Sequence, residues 1–272
     1  MMIGGLSMHE KDVCLSALVV ARNEVERLGP CLQALAWADE MVVVLDRTTD
    51  ASASVAQAYG ARVIAGAWPL ESERRQAGQD ACRGRWILEV DADEYVSPEL
   101  AAEIRRTLSA RESKGSGPDW WRIPFDNYVG TRLIRYGWGA QFGVGAKAIL
   151  YRRGAKAWEA QYVHSRVTMQ GTCGGALTQT IRHAVDRNLS DMLRRLDSYT
   201  TAHAADLREK RAPREGTVGK NIARFLGRFY KCYVLRKGYR EGGYGFVIAI
   251  LTGLYPLVSF LKAHEDDPHG GG

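Results

Sequence analysis

Across the first 110 residues, short apolar runs alternate with stretches whose apolar positions recur at helical spacing. Residues 13–20, 41–45, 63–65 and 86–90 are short, rich in β-branched side chains and bounded by turns or charges, which predicts buried strands. Helices are predicted over residues 24–36, 50–59 and 71–82, with Thr49 as the N-cap of the second and Gly60 just beyond its end. A fourth helix has the strongest start signal. Ser97 supplies the N-cap, Pro98 the first helical position, and Leu100, Ile104 and Leu108 share one face. This alternation predicts an α/β fold with a mostly parallel central sheet and right-handed crossovers.

Composition changes that picture little: 46% hydrophobic and 25% charged residues describe an ordinary folded protein. Five scattered cysteines without a CxxC pair suggest neither a disulfide framework nor a zinc site, and fit a reducing compartment. The first apolar stretch has no basic leader or small-residue cleavage site, so no secretion signal is expected. Charge is more informative. Residues 206–262 carry 12 Lys and Arg against 4 Asp and Glu, leaving 25 against 27 elsewhere, so the basicity belongs to the C-terminal fifth. A polyanionic partner, either nucleic acid or an anionic lipid surface, is to be sought there.

Candidate chemistry gathers at the predicted strand ends. Ligands of open α/β sheets bind beyond the carboxyl ends of the strands. Three polar groups fall there: Arg22-Asn23-Glu24, residues 46–50, and Asp91-Ala92-Asp93-Glu94. Taken singly each has an ordinary explanation. Asp50 favours a helix N-terminus, Asn23 suits a turn, and 15 aspartates in 272 residues produce roughly 0.8 Asp-x-Asp pairs by chance. Independent caps have no reason to collect on one edge, however, and two carboxylates one residue apart suit a divalent metal held against a diphosphate.

The motifs in order are Leu18-Val19-Val20-Ala21-Arg22-Asn23-Glu24, Asp39-Glu40-Met41-Val42-Val43-Val44, Asp46-Arg47-Thr48-Thr49-Asp50, Arg74-Arg75-Gln76 and Trp86-Ile87-Leu88-Glu89-Val90-Asp91-Ala92-Asp93-Glu94. This series resembles the family 2 glycosyltransferases of GT-A type. It is most similar to the bacterial branch that builds lipopolysaccharide core, typified by β-1,4-glucosyltransferases. The similarity continues through Asn127-Tyr128-Val129-Gly130, Leu150-Tyr151-Arg152-Arg153-Gly154, Val163-His164, His183, Asp197-Ser198-Tyr199 and Arg236-Lys237-Gly238-Tyr239, and so covers nearly the whole chain.

The resemblance implies a site residue by residue. Asn23, Glu24, Asp46, Asp50 and Arg75 match positions lining the nucleotide-sugar pocket. Asp91 and Asp93 match the DxD pair, in which the second Asp holds Mg2+ or Mn2+ and the first supports ribose or metal-bound water. The physics agrees, because a metal bridging the phosphates stabilises the charge that builds on the departing nucleoside diphosphate. His164 is a further candidate metal ligand, and His183 a weaker one. The chain also departs from the branch: Leu45 stands where many relatives carry an acid, Gln76 replaces a frequent Asn, and Ser165 replaces the Glu that usually follows Val-His. An inverting transfer needs a base for the acceptor hydroxyl. Asp126, Glu159, Asp186 and Glu94 are the candidates, and the base stays unassigned.

Four regions are expected: an N-terminal tail over 1–12, a nucleotide-sugar half over 13–115, an acceptor half over 116–205 and a basic, then apolar, region over 206–272. In the acceptor half, Trp120, Trp121, Trp138, Tyr128 and Tyr136 offer stacking faces or core filling. In the last region Ile222, Phe225, Leu226, Phe229, Tyr230 and Tyr233 recur at helical spacing beside Lys220, Arg224, Arg228 and Lys231. Residues 242–261 then carry no charge, but Pro256 interrupts them, which favours interfacial docking or packing over spanning. The expectation is a metal-dependent inverting glycosyltransferase, peripheral at the cytoplasmic face of the inner membrane, with no nucleic-acid partner. Its donor is a nucleotide sugar, a UDP-sugar for preference, and its acceptor a lipid-linked or lipopolysaccharide-core saccharide. The competing readings are a sugar-phosphate nucleotidylyltransferase, against which the absence of Gly from Ala21-Arg22-Asn23-Glu24 counts, and a non-catalytic polyanion-binding protein, which leaves the acidic rim without a role.

Overall fold

The computed structural model describes residues 14–139, 143, 145–158, 167–209 and 216–265, and the tail expected over 1–12 lies outside them. The chain forms two compact units, one made of residues up to Ile123 with Ala148–Gln179, the other of Pro124–Lys147 with Thr180 onward. The first half of the chain runs β1 (Leu15–Ala21), α1 (Val25–Leu35), β2 (Glu40–Asp46), α2 (Ser52–Ala58), β3 (Arg62–Gly66), α3 (Glu71–Ala81), β4 (Trp86–Asp91), β5 (Glu94–Tyr95) and α4 (Pro98–Lys114). Next, β6 (Trp120–Val129) passes into the second unit, which also takes β7 (Arg132–Ile134) and the start of β8 (Ala146–Arg152). Back in the first unit follow β9 (Lys156–Trp158), β10 (Val167–Met169) and β11 (Cys173–Ala176). The second unit is completed by β12 (Ile181–Asp186), α5 (Leu189–Arg208), α6 (Val218–Tyr230) and α7 (Gly243–Ala263).

In the first unit β3, β2, β1 and β4 lie side by side, all parallel, and β8 adds antiparallel to β4. All seven residues of β1 are buried, as expected of a central strand covered on both faces. Observed bounds of the four strands and four helices stay within about two residues of the sequence expectation. The start of α4 is as expected: Ser97 Oγ accepts the Leu100 N–H at 3.2 Å, and Leu100, Ile104 and Leu108 are buried. Thr49 is a correction. Ala51 occupies the N-cap of α2 and Thr49 turns toward Asn23, because a side-chain acceptor from the neighbouring loop captures its N–H first. Helix α3 presses so closely on the sheet that a Cβ at Gly78 would stand 2.7 Å from Leu18 Cδ1 and 2.8 Å from Val44 Cγ2. Leu18, Val20, Val42, Val44, Ile87 and Tyr151 belong to the core cluster of this unit.

In the second unit β6 runs parallel to β12 and turns back through Gly130, φ +60°, to pair antiparallel with β7. Strict alternation along β6 buries Phe125, Asn127 and Val129 and turns Asp126 and Tyr128 the other way. Asn188 caps α5, accepting the Asp191 N–H at 3.0 Å. Val129, Ile134, Met192, Leu196, Ile248, Leu251 and Tyr255 form the core. Among the described residues α7 is the one helix long and apolar enough to cross a bilayer, yet more than half of its apolar stretch is buried, packed on α5 and α6. The stripe expected on α6 divides in two. Phe225, Phe229 and Tyr233 stack in series, with Phe246 of α7 edge-on to the last two, each at 5.8 Å. Val218, Ile222, Leu226, Tyr230 and Val234, spaced by four, stand 41–58% exposed.

Candidate active site

The first unit brings the expected polar groups together at the carboxyl ends of β1, β2 and β4. Asn23 adopts φ +54°, a left-handed conformation that Asn tolerates better than most residues, and this aims its amide at the neighbouring loop. Asn23 Oδ1 accepts the Thr49 N–H at 2.8 Å, Glu24 N–H donates to Ser52 Oγ at 3.2 Å, and Asp50 accepts from Val25 at 3.1 Å and Ser52 at 3.0 Å. Two loops are thereby stitched into one rim. Asp46, at the end of β2, is buried and its carboxylate is spoken for: the Trp68 N–H, both Arg47 contacts at 3.1 Å and Arg74 at 3.4 Å converge on it. Burial opposes its ionisation, but the hydrogen bonds of Arg47 and Trp68 and the charges of Arg47 and Arg74 outweigh it and hold the carboxyl below its ordinary range.

The chain leaves β4 in a turn at Ala92 and Asp93, where Ala92 and Glu94 are buried while Asp91 and Asp93 stay partly exposed. Glu94 is 1% exposed, and its carboxylate accepts the Asp91 N–H at 3.0 Å, closing the turn that presents the pair. Arg27 of α1 lies 3.7 Å from Asp93 and 3.9 Å from Glu24. Buried Cys31 reports the local field: burial first, then the negative charges of Glu94, Asp93 and Asp91, push its thiol far above its ordinary value. A rim with two partly exposed carboxylates, Asp91 and Asp93, has the donor chemistry of a Mg2+ or Mn2+ site completed by substrate oxygens.

Beneath the rim, Arg75 and Asp91, both expected site residues, join a network whose centre, Glu89, was not singled out. Arg75 of α3 donates to Glu89 at 2.6 Å, to Glu71 at 3.0 Å and to Asp91 at 3.4 Å. Glu89 also takes Lys156 Nζ at 2.6 Å and the Tyr151 hydroxyl at 2.9 Å, while Arg75 and Lys156 both sit over the Trp158 ring, at 5.1 and 4.5 Å. Burial works against Glu89 ionising, but the charges of Lys156 and Arg75 prevail and keep its carboxyl below the usual range. Lys156 was invisible in sequence for a simple reason: it reaches Glu89 from a strand 67 residues on. The available signal was the lone Glu in an apolar strand, since a buried charge demands a partner.

The remaining candidates fall in the second unit or outside the described residues. Asp186 is buried and paired with Arg195 at 2.6 Å. Asp126 is half-buried, accepts the Thr180 hydroxyl at 2.9 Å and lines a cavity of about 430 Å³ together with Tyr136 and Trp138. His183 meets Asn127 Oδ1 at 2.9 Å through Nδ1. Glu159 and His164 lie outside the described residues. Of the other candidate stacking faces, Trp121 is buried with its ring 5.4 Å from that of Trp86, Trp120 packs against the first core, and Tyr128 lies under Arg182 at 4.7 Å.

An α/β sheet with an acidic pair at the end of β4 is the arrangement expected of a sugar-nucleotide transferase, and the family comparison agrees: residues 16–169 match the model of glycosyl transferase family 2, and the chain belongs to that family. It is therefore an enzyme of glycosyl transfer with a GT-A-like fold. Over 273 residues it is 26% identical to the lipopolysaccharide core biosynthesis glycosyltransferase LpsC of Rhizobium meliloti, covering 92% of each chain. An uncharacterized glycosyltransferase of Rickettsia bellii is 33% identical over 98 residues, 36% of this chain and 33% of that one. Among solved structures, S. aureus TarS 1-349 superposes with a TM-score of 0.46 at 11% identity, covering 92% of this chain and 89% of that one. Against the longer S. aureus TarS chain the match spans 46% of its length.

Proposed function

We propose that this protein is a metal-dependent inverting glycosyltransferase that moves a sugar from a nucleotide-sugar donor, a UDP-sugar for preference, to a membrane-anchored saccharide of lipopolysaccharide core or a related envelope glycan. The observation that carries this reading is the rim of the first unit, where Asp91 and Asp93 stand partly exposed beside Asn23, Glu24 and Asp50 in an electronegative field. A bare diphosphate would be repelled there. Mg2+ or Mn2+, held by Asp93 and Asp91, would supply the charge neutralisation that the leaving diphosphate requires. Asn23 and Asp50 hold the loops that shape the base and ribose pocket, and Arg75, fixed by Glu89, Glu71 and Trp158, holds Asp91 in place. Similarity to LpsC over nearly the full length of both chains supports the lipopolysaccharide-core acceptor.

For the base, Asp126 is the candidate whose surroundings suit the role. It borders open space, whereas Glu94 and Asp186 are buried and bonded to their own units. Attachment at the cytoplasmic face of the inner membrane is supported by α6, whose exposed apolar row is flanked by Lys220, Arg224 and Lys231. Turnover of a panel of UDP-, GDP- and dTDP-sugars with Mn2+, compared between wild type and Asp93→Ala, tests the central assignment. Metal-dependent turnover of one donor that disappears in Asp93→Ala is expected; full metal-dependent activity in the variant would overturn it.

A further inference from the structure

The cavity of the second unit is the one feature whose chemistry the donor site does not use. Its volume of about 430 Å³ falls within the range of small-molecule sites, roughly 300–1,000 Å³, and is enough for a substituted sugar unit. Its wall is built by two segments that pin each other. Gly137 N–H donates to the Arg236 carbonyl at 3.0 Å, and an Arg236 guanidinium nitrogen donates to the Trp138 carbonyl. Only glycine fits at the crossing: Gly137 has φ +82° and an added Cβ would stand 2.7 Å from Gly238 Cα. Trp138 is fixed by its own Nε1–H, which donates to the Ile134 carbonyl at 2.6 Å.

The charge of this space runs one way. Among the described residues, Arg135 and Arg236 line it against a single carboxylate, Asp126. Two more cations stand over rings of its wall, Arg240 at 5.3 Å from the Tyr136 ring and Lys147 at 4.9 Å from the Phe125 ring. The adjacent acid, Glu241, does not neutralise them. It is buried, with its carboxylate accepting the N–H groups of Arg135 and Tyr136 at 2.8 and 3.1 Å and lying 3.8 Å from Arg132. Arg135 is exposed, and among the described residues its guanidinium has no carboxylate partner.

We infer that this cavity is the acceptor subsite and that it selects a sugar bearing an anionic group, a phosphate or a carboxylate. Arg135 and Arg236 take the anion, the ring of Tyr136 offers an apolar face to the sugar, and Asp126 accepts from a sugar hydroxyl. That the ligand is a saccharide rests on the glycosyl-transfer reading above; that it is an anion rests on the cavity itself. Calorimetric titration of the full chain in metal-free buffer with glucose 6-phosphate, glucuronate, methyl glucoside and inorganic phosphate tests it. The two sugar anions are expected to bind about tenfold tighter than the neutral glucoside and than inorganic phosphate. Arg135→Gln is expected to remove that margin while leaving methyl glucoside unchanged, and Arg135→Lys to retain part of it. Equal binding of the neutral and anionic sugars by wild type, or an unchanged margin in Arg135→Gln, would overturn the inference. Tightest binding of inorganic phosphate would reassign the cavity to a bare anion and overturn the sugar part. A separate titration with UDP and Mn2+ keeps the two readings apart, because its failure in wild type counts against the donor site alone.

Discussion

The rim of the first unit and the cavity of the second unit are built on the same sheet-and-helix chemistry but carry opposite charge. At the rim, Asp91, Asp93, Glu24 and Asp50 are gathered, and Arg27 and Arg75 beside them are engaged with carboxylates. At the cavity, Arg135 and Arg236 line the space, Asp126 is the carboxylate among the described lining residues, and Arg240 and Lys147 stand over rings of the wall. The difference shows how a protein handles two anionic ligands. On the proposed reading one would be met through acids that recruit a divalent ion, the other directly by guanidinium groups, and only the first mode would need a metal. The backbone treatment differs too. The rim is held by side-chain bonds between loops, whereas the cavity wall relies on glycine crossing glycine.

The sharpest way to break this comparison is Asp93→Asn, which keeps size and removes charge. Turnover with Mn2+ is expected to fall about a thousandfold, while UDP binding in metal-free buffer strengthens as repulsion is relieved. Weaker metal-free binding would show that Asp93 contacts the nucleotide directly. Next in size is Lys156→Met. Removing one member of a buried pair costs about 3 kcal/mol in urea or thermal unfolding, and Glu89→Gln combined with Lys156→Met is expected to cost less than the sum of the two singles. Strict additivity would mean that the two side chains do not act as a unit.

Asp126→Asn is expected to lower kcat about a hundredfold with little change in Mn2+ or UDP binding. An unaltered kcat removes Asp126 from the chemistry. Acid stability follows from groups already described. Glu89 and Asp46 have folded-state values below their unfolded ones, so their contribution is present above the unfolded carboxylate range, roughly pH 4, and is lost as pH falls through the lower folded values. A melting temperature that does not fall from pH 5 to pH 3 would contradict this. The smallest effect is expected at α6, where Leu226→Asp should weaken salt-sensitive sedimentation with anionic vesicles several-fold and leave the melting temperature within about a degree, since Leu226 is 58% exposed.

Much of the first unit was legible in the amino-acid order. Short β-branched runs such as those of β1 and β2 identify themselves because central parallel strands bury both faces, and α4 announces its start through Ser97 and Pro98. The place of the acidic pair was legible too, since Asp91 closes the apolar run of β4 and the polar residues after it mark the strand's carboxyl end. Asp46 was only half legible. Its place at the end of β2 was evident, but the Arg47, Trp68 and Arg74 partners that occupy it come from three segments and left no spacing signal.

What the sequence alone determined, then, is the strand-helix alternation and the place of the acidic pair, because each depends on near neighbours in the chain, and the family, because its motifs recur in order along nearly the whole chain. The tertiary structure decided the rest. It gave Glu89 its buried partners from 67 residues away, divided the α6 stripe into a packed row and an exposed one, and set Arg135 and Arg236, a hundred residues apart, around one cavity. Those outcomes turn on contacts between distant segments, and such contacts depend on how whole elements dock, which no local pattern of apolar and polar residues encodes.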